Sequence, residues 1–215
     1  MLTPARAWSA SSYGTGDAMK DVLIFLLAVV VGYFVGSISP ATLIARARGV
    51  DLRSQGSGNP GATNASRIMG RKVGIVVAVA DVLKGLVPTL VFAWLFWPEV
   101  GLVAGLAAVI GHVTSPFLRG KGGRGVATAV GAVIAGTPAA SLVVLATFAV
   151  VVALSRWVAL ASMTSVVALV VAVVVMDYGW AYVVWAVSLA AIVLWRHRSH
   201  ARAAYLRARR RLGRD

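Results

Sequence analysis

The chain has 215 residues, of which 59% are hydrophobic and 13% charged, whereas a soluble domain runs near ~45–50% and ~25%. With a mean hydropathy of +0.83, that balance excludes an ordinary soluble protein. There are 21 Lys+Arg against 7 Asp+Glu, a net charge of +14, and no cysteine, so disulfides and thiolate metal sites are excluded.

Residues 1–20 are polar and irregular, and are expected to form a disordered N-terminal extension. Met19 directly precedes the first apolar run and offers a second start. That run continues too far, and resumes after a polar break, to read as a cleaved leader. A spanning helix needs about 20 mostly apolar residues. Seven candidates follow: 22–45, 73–97, 100–118, 126–137, 139–155, 157–176 and 179–195. The fourth is short and contains glycine. Each must be helical, because lipid offers no partner for open backbone groups. The fold class is therefore all-α, a polytopic transmembrane bundle of about seven spans.

Basic residues mark the cytoplasmic side. The loop 46–72 carries Arg46, Arg48, Arg53, Arg67, Arg71 and Lys72. The loop 119–125 carries Arg119, Lys121 and Arg124, and Arg156 follows the fifth span. The tail carries Arg196, Arg198, Arg202, Arg207, Arg209, Arg210, Arg211 and Arg214, whereas the opposite side holds Arg6 and Lys20. This puts the N-terminus outside and the C-terminus inside, with a basic cytoplasmic tail over 198–215. Demoting two short segments to re-entrant helices, for five spans, would leave both ends in place. Positive-inside topology already accounts for the arginine-rich tail, which has no interleaved aromatics beyond Tyr205, so no nucleic-acid partner is expected. Anionic lipid heads and phosphorylated substrates suit such charges better.

Two loops carry chemistry. The first reads Gly56-Ser57-Gly58-Asn59-Pro60-Gly61-Ala62-Thr63-Asn64. Its glycines permit close backbone approach and its amides can form an anion nest, while Ser57, Asn59, Thr63 and Asn64 add polar groups and Arg67 adds charge. A plain turn between helices would use the same residue types. The second loop weakens that simpler reading. It runs from Gly111-His112 through Ser115-Pro116-Phe117 to Gly120-Lys121-Gly122-Gly123-Arg124-Gly125-Val126-Ala127-Thr128. Glycines and two fixed cations leading into a helix start suit phosphate. The spacing is not that of a Walker A loop.

Within the second span, Asp81 and Lys84 lie three apart on one helical face, as a functional site or as a mutually neutralising structural pair that must face inward. Ser37, Ser39 and Pro40 interrupt the first span, where the proline is expected to kink the helix. His197, between Arg196 and Arg198, is a candidate base or phosphate donor. Acids are scarce and scattered, so neither a metal nor another cofactor is expected.

Together these loops resemble the PlsY family, the bacterial acylphosphate:glycerol-3-phosphate acyltransferases. Residues 56–64 match that family's G-S-G-N-x-G-A-T-N throughout. Its G-H-x-x-x-P-F…K-G-G-K-G-V-A-T is matched by His112, Pro116, Phe117, Lys121, Gly122, Gly123, Gly125, Val126, Ala127 and Thr128, with Arg124 in the place of a lysine. Its D-x-x-K-G is Asp81 to Gly85, and its G-S-I is Gly36-Ser37-Ile38. The third motif, R-H-x-x-N-I-x-R-L followed by G-x-E, departs: Arg196 and His197 match, but His200, Ala201 and Ala203 replace the asparagine, isoleucine and arginine, and no clear G-x-E follows.

The resemblance implies a transmembrane acyltransferase domain over 21–197 in the bacterial inner membrane, with its site loops cytoplasmic. The implied reaction transfers a fatty acyl group from acyl phosphate to the 1-hydroxyl of glycerol 3-phosphate, giving lysophosphatidic acid and phosphate in phospholipid synthesis. His197, Lys121 and Ser37 are then the candidate catalytic residues. Substrate binding falls to Ser57, Gly58, Asn59, Gly61, Thr63, Asn64, Arg67, His112, Lys121, Gly122, Gly123, Arg124, Thr128 and Arg196. The altered third motif leaves open a non-catalytic or re-purposed paralogue. A small transporter of a phosphorylated solute is a further alternative, although no half-repeat of the kind transporters often carry is evident.

Overall fold

The computed structural model describes the backbone of residues 15–211 and the side chains of residues 17–198. Among the described residues every regular element is helical. Helix α1, Thr15–Ser37, begins inside the segment expected to be disordered, with Asp17 in its first turn, where a carboxylate complements the helix dipole. Residues 1–14 lie outside the description.

The first span is broken rather than kinked. After Ser37 the chain turns, and Ser39 becomes the N-cap of a second helix, α2 (Pro40–Ala47), its hydroxyl accepting the Thr42 N–H at 3.3 Å. Pro40 sits in the first turn of α2, where its missing N–H costs nothing. A short amphipathic helix, α3 (Ala62–Met69), precedes α4 (Arg71–Leu95). Then come α5 (Pro98–Thr114), a single 3-10 turn at Pro116–Leu118, α6 (Val126–Gly136), α7 (Pro138–Ser155), α8 (Val158–Val175) and α9 (Trp180–Arg211).

Among the described residues six helical segments are long and apolar enough to cross a membrane, α1 and α2 counting as one. The sequence suggested seven. The fourth candidate, α6, has 11 residues, about 16 Å at 1.5 Å per residue against a hydrocarbon core of about 30 Å. Small residues bring it into backbone contact with α4. A Cβ at Gly85 would collide with the Thr128 carbonyl, and one at Gly131 with the Val82 carbonyl. The same device joins α1 to α5, where Gly32 and Gly36 lie on the carbonyls of Ala104 and Ala108. Such close approach is how helices associate where lipid removes the hydrophobic drive. A core of Leu102, Val109, Val133, Leu169, Trp185 and Leu189 ties α5, α6, α8 and α9 together, whereas the outer faces of α1, α4 and α8 present apolar side chains outward. Helix α9 continues unbroken to Arg211, through the first part of the expected basic tail.

Candidate functional site

The break in α1 exposes carbonyls that the helix no longer bonds, and a buried lysine meets them. Lys84 Nζ donates to Gly36 O at 3.0 Å and Ile38 O at 2.6 Å. It also lies 2.9 Å from Asp81 Oδ1 and 3.0 Å from His112 Nδ1. The pair read from sequence as three apart on one face is therefore the centre of a junction between α1, α4 and α5. Ser37 lies in the same junction, 1% exposed. Its hydroxyl donates to Tyr33 O at 2.7 Å, with Gly111 O at 3.3 Å, and its carbonyl accepts from Ser115 Oγ at 2.7 Å. That puts Ser37 beneath the loops, holding two helices and the start of the 3-10 turn.

The first loop folds around Asn64. Its Oδ1 accepts the Ser57 N–H at 2.9 Å, and its Nδ2 donates to Leu52 O and Gln55 O, each at 3.2 Å. Both amide protons are thus committed within the loop. Gly56 and Gly58 have φ near +60°, which makes the turn that brings Ser57 to Asn64. Ser57, Thr63 and Arg67 are exposed, and Asn59 is half-buried.

In the second loop, Gly122 N–H donates to Val113 O and Gly123 N–H to His112 O, both at 3.0 Å, so these amides cap the end of α5. A side chain at Gly122 would strike the His112 carbonyl, and one at Gly123 would strike His112 Nε2. Gly125, with φ +81°, then turns the chain into α6. Ala129 N–H donates to Gly125 O at 2.8 Å, closing the first turn of α6. The amides of Val126, Ala127 and Thr128 have no carbonyl inside the helix to bond. Thr128 Oγ1 is buried with no hydrogen-bond partner among the described residues.

Two arginines join the segments. Arg196, from α9, donates through Nε to Gly123 O at 3.1 Å and through Nη2 to Gly122 O at 3.0 Å. Arg53, from the first loop, donates through Nη2 to Lys121 O at 2.6 Å. Both loops and the Arg196 turn of α9, where its apolar stretch ends, consequently lie on one face of the bundle. Arg124 is half-buried there, and burial, followed by the positive charge of Arg196, lowers the pKa of its guanidinium. Lys121 is exposed. His197 is 2% exposed and donates from Nδ1 to Val193 O at 2.8 Å, so in the neutral ring the lone pair is on Nε2.

Two hollows flank this face. A cleft of about 410 Å³ between α2, the first loop and Leu118 is lined by Thr42, Arg46, Asp51 and Arg53. A narrow apolar crevice of about 30 Å³ between α6, α7, α8 and α9 is lined by Val126, Val133, Phe148 and Leu169 among others. Sequence reasoning counted Arg46 and Arg53 only as topology charges; nothing in their spacing signals that Arg53 reaches a carbonyl 68 residues away.

The glycerol-3-phosphate acyltransferase family profile matches residues 26–205. A glycerol-3-phosphate acyltransferase of Geotalea daltonii is 43% identical over 178 residues, 82% of this chain and 92% of its own length. One from Aquifex aeolicus is 37% identical over 177 residues, 81% and 92% of the two chains. Crystal structures of PlsY, an integral membrane glycerol 3-phosphate acyltransferase, superpose closely. The glycerol 3-phosphate form gives a TM-score of 0.80 at 36% identity, covering 89% of this chain and 94% of that one. The lysophosphatidic acid form gives 0.78 at 35%, covering 89% and 93%.

Proposed function

This chain belongs to the glycerol-3-phosphate acyltransferase family, and we propose that the polar face built by its two glycine loops and the Arg196–His197 turn of α9 is where its substrates react. It is a membrane enzyme that moves a fatty acyl group from acyl phosphate to the 1-hydroxyl of glycerol 3-phosphate, yielding lysophosphatidic acid and inorganic phosphate for phospholipid synthesis. The observation that carries the placement is the pair of arginine clamps, Arg196 on Gly122 and Gly123 and Arg53 on Lys121.

Both substrates carry phosphate, and the two loops divide them. In the second loop Lys121 and Arg124, with the open amides that begin α6, hold one phosphate and stabilise the charge that grows on the leaving group. The buried, partnerless Thr128 hydroxyl suits a group that a substrate satisfies. In the first loop Ser57, Asn59, Thr63 and Arg67 face the other phosphate, on a turn shaped by Gly58 and Gly61 and held rigid by Asn64. The cleft lined by Arg46 and Arg53 adds cations to that side. The acyl chain lies along the apolar helix faces beside the second loop; the crevice at Val126, about 30 Å³ here, must widen to take any of it. The glycerol hydroxyl oxygen attacks the acyl carbonyl carbon, the carbon–oxygen bond to phosphate breaks, and the hydroxyl proton passes to His197 Nε2 or to a substrate phosphate. Acyl phosphate is already activated, so no covalent enzyme intermediate is needed.

From the basic loops we infer that this face is cytoplasmic in a bacterial inner-membrane protein, with the N-terminus outside and the C-terminus inside, an arrangement that requires α6 to cross as a short seventh segment. The test supplies purified protein with palmitoyl phosphate and labelled glycerol 3-phosphate. The expected products are labelled lysophosphatidic acid and an equal amount of phosphate, with no product from palmitoyl-CoA. No transfer from palmitoyl phosphate, or faster transfer from the thioester, overturns the assignment.

A further inference from the structure

Lys84 Nζ has four polar neighbours and three protons. Gly36 O and Ile38 O, at 3.0 and 2.6 Å, are carbonyls and can only accept, so two protons are fixed on them. The remaining neighbours are Asp81 Oδ1 at 2.9 Å and His112 Nδ1 at 3.0 Å. Asp81 Oδ1 lies at ion-pair distance, whereas the His112 Nδ1 contact meets hydrogen-bond geometry, so the third proton is assigned to His112 Nδ1. An ammonium only donates; Nδ1 must therefore present its lone pair, and the neutral ring carries its proton on Nε2. The opposite tautomer would set an N–H against an ammonium at 3.0 Å to reach Asp81 at 3.5 Å. Nε2 is the ring atom nearest Gly123, at the place a Cβ of that residue would occupy. His112 itself is 8% exposed.

We propose that Lys84 is a positioning residue that locks His112 in its Nε2–H tautomer, so that a neutral donor stands behind Gly123 and hydrogen-bonds a substrate phosphoryl oxygen in the second loop. Asp81 balances the ammonium charge in this buried junction, which keeps Lys84 a donor. A neutral N–H here adds directionality to a site already rich in fixed charge, and it ties the broken end of α1 to the geometry of the loop through one side chain. The tautomer stands on geometry alone; the phosphoryl contact rests on the loop being the phosphate site proposed above.

The experiment is nitrogen NMR of the full-length protein labelled at histidine, with the His112 signals assigned by their loss in His112→Gln. In the wild-type protein Nδ1 is expected as the unprotonated nitrogen and Nε2 as the protonated one, and glycerol 3-phosphate or inorganic phosphate is expected to move the Nε2 signal and leave Nδ1 in place. In Lys84→Met the ring is expected to lose this single tautomer, with KM for one phosphorylated substrate raised roughly tenfold, the worth of one hydrogen bond. A protonated Nδ1 in the wild-type protein overturns the proposal, and because that spectrum needs no variant it decides the matter even where Lys84→Met fails to fold. An Nε2 signal unmoved by both ligands overturns the phosphoryl contact. A wild-type protein with the expected tautomer but no acyl transfer instead sinks the functional assignment and leaves the lock intact.

Discussion

Arg196→Ala removes the clamp between α9 and the second loop. Its guanidinium makes two hydrogen bonds, to Gly122 O at 3.0 Å and Gly123 O at 3.1 Å. A hydrogen bond with one charged partner contributes about 1.5–3 kcal/mol when shielded. Arg196 is only part-buried, so solvent screening puts the pair toward the low end, about 2–4 kcal/mol in all. The helix packing of α9 against α5 and α8 does not pass through this side chain, so the loss falls on loop position rather than on folding. If loop position is needed only to bind the phosphate and its transition state, kcat/KM falls by roughly 30- to 1,000-fold. The assay is acyl transfer from palmitoyl phosphate across a range of glycerol 3-phosphate, with thermal unfolding in detergent as the folding control. Arg196→Lys keeps the charge but cannot span two successive carbonyls with a rigid fork, so it is expected to recover only part of the loss. An Arg196→Ala enzyme with wild-type kcat/KM and wild-type stability refutes the clamp.

Asn64→Ala leaves the Ser57 N–H and the Leu52 and Gln55 carbonyls without their partner; at about 1 kcal/mol each the first loop loosens, and glycerol 3-phosphate KM or kcat is expected to worsen by more than tenfold while the protein still inserts and purifies. Gly85→Ala forces a methyl into the Thr128 carbonyl, and overpacking of about 1–3 kcal/mol is expected as a lower unfolding temperature in detergent. Arg124→Lys tests charge directly. Burial, then the positive charge of Arg196, disfavour the protonated form at this position; arginine starts high enough to stay charged, whereas lysine starts lower. The lysine enzyme is therefore expected to lose activity as pH rises through the alkaline range, and the wild-type enzyme to hold it there.

Lipid itself made much of the fold legible: a chain this apolar has few solutions, and the length of each run separates α4, α5, α7, α8 and α9 cleanly. The break before α2 was visible as Ser37-Ile38-Ser39-Pro40, but sequence suggested a kink where the serine caps a new helix. A run's edge also does not say where helix geometry starts, so α1 reaches back to Thr15, and α6 has 11 residues, fewer than a span usually takes. At the site, the residue types were readable and their partners were not. Asp81 and Lys84 announced themselves by being charged inside a span, yet His112 and the freed carbonyls of Gly36 and Ile38 come from distant turns of chain. Asn64 was readable as a polar group in a glycine loop; its bonds to Ser57, Leu52 and Gln55 show only in the folded loop. Arg53 lay hidden for the opposite reason, being one basic residue in a loop full of them.

Because the chain has no cysteine, single thiols can report on the meeting of the three segments without background. Ser57→Cys, Arg119→Cys and Arg198→Cys put a reporter in the first loop, the second loop and the end of α9, all at exposed positions. In oriented membrane vesicles, a thiol reagent that cannot cross the bilayer is expected to label all three from the cytoplasmic side, with glycerol 3-phosphate slowing the reaction at Ser57→Cys. Labelling of any two from opposite sides, or a Ser57→Cys rate indifferent to saturating glycerol 3-phosphate, contradicts a shared substrate face.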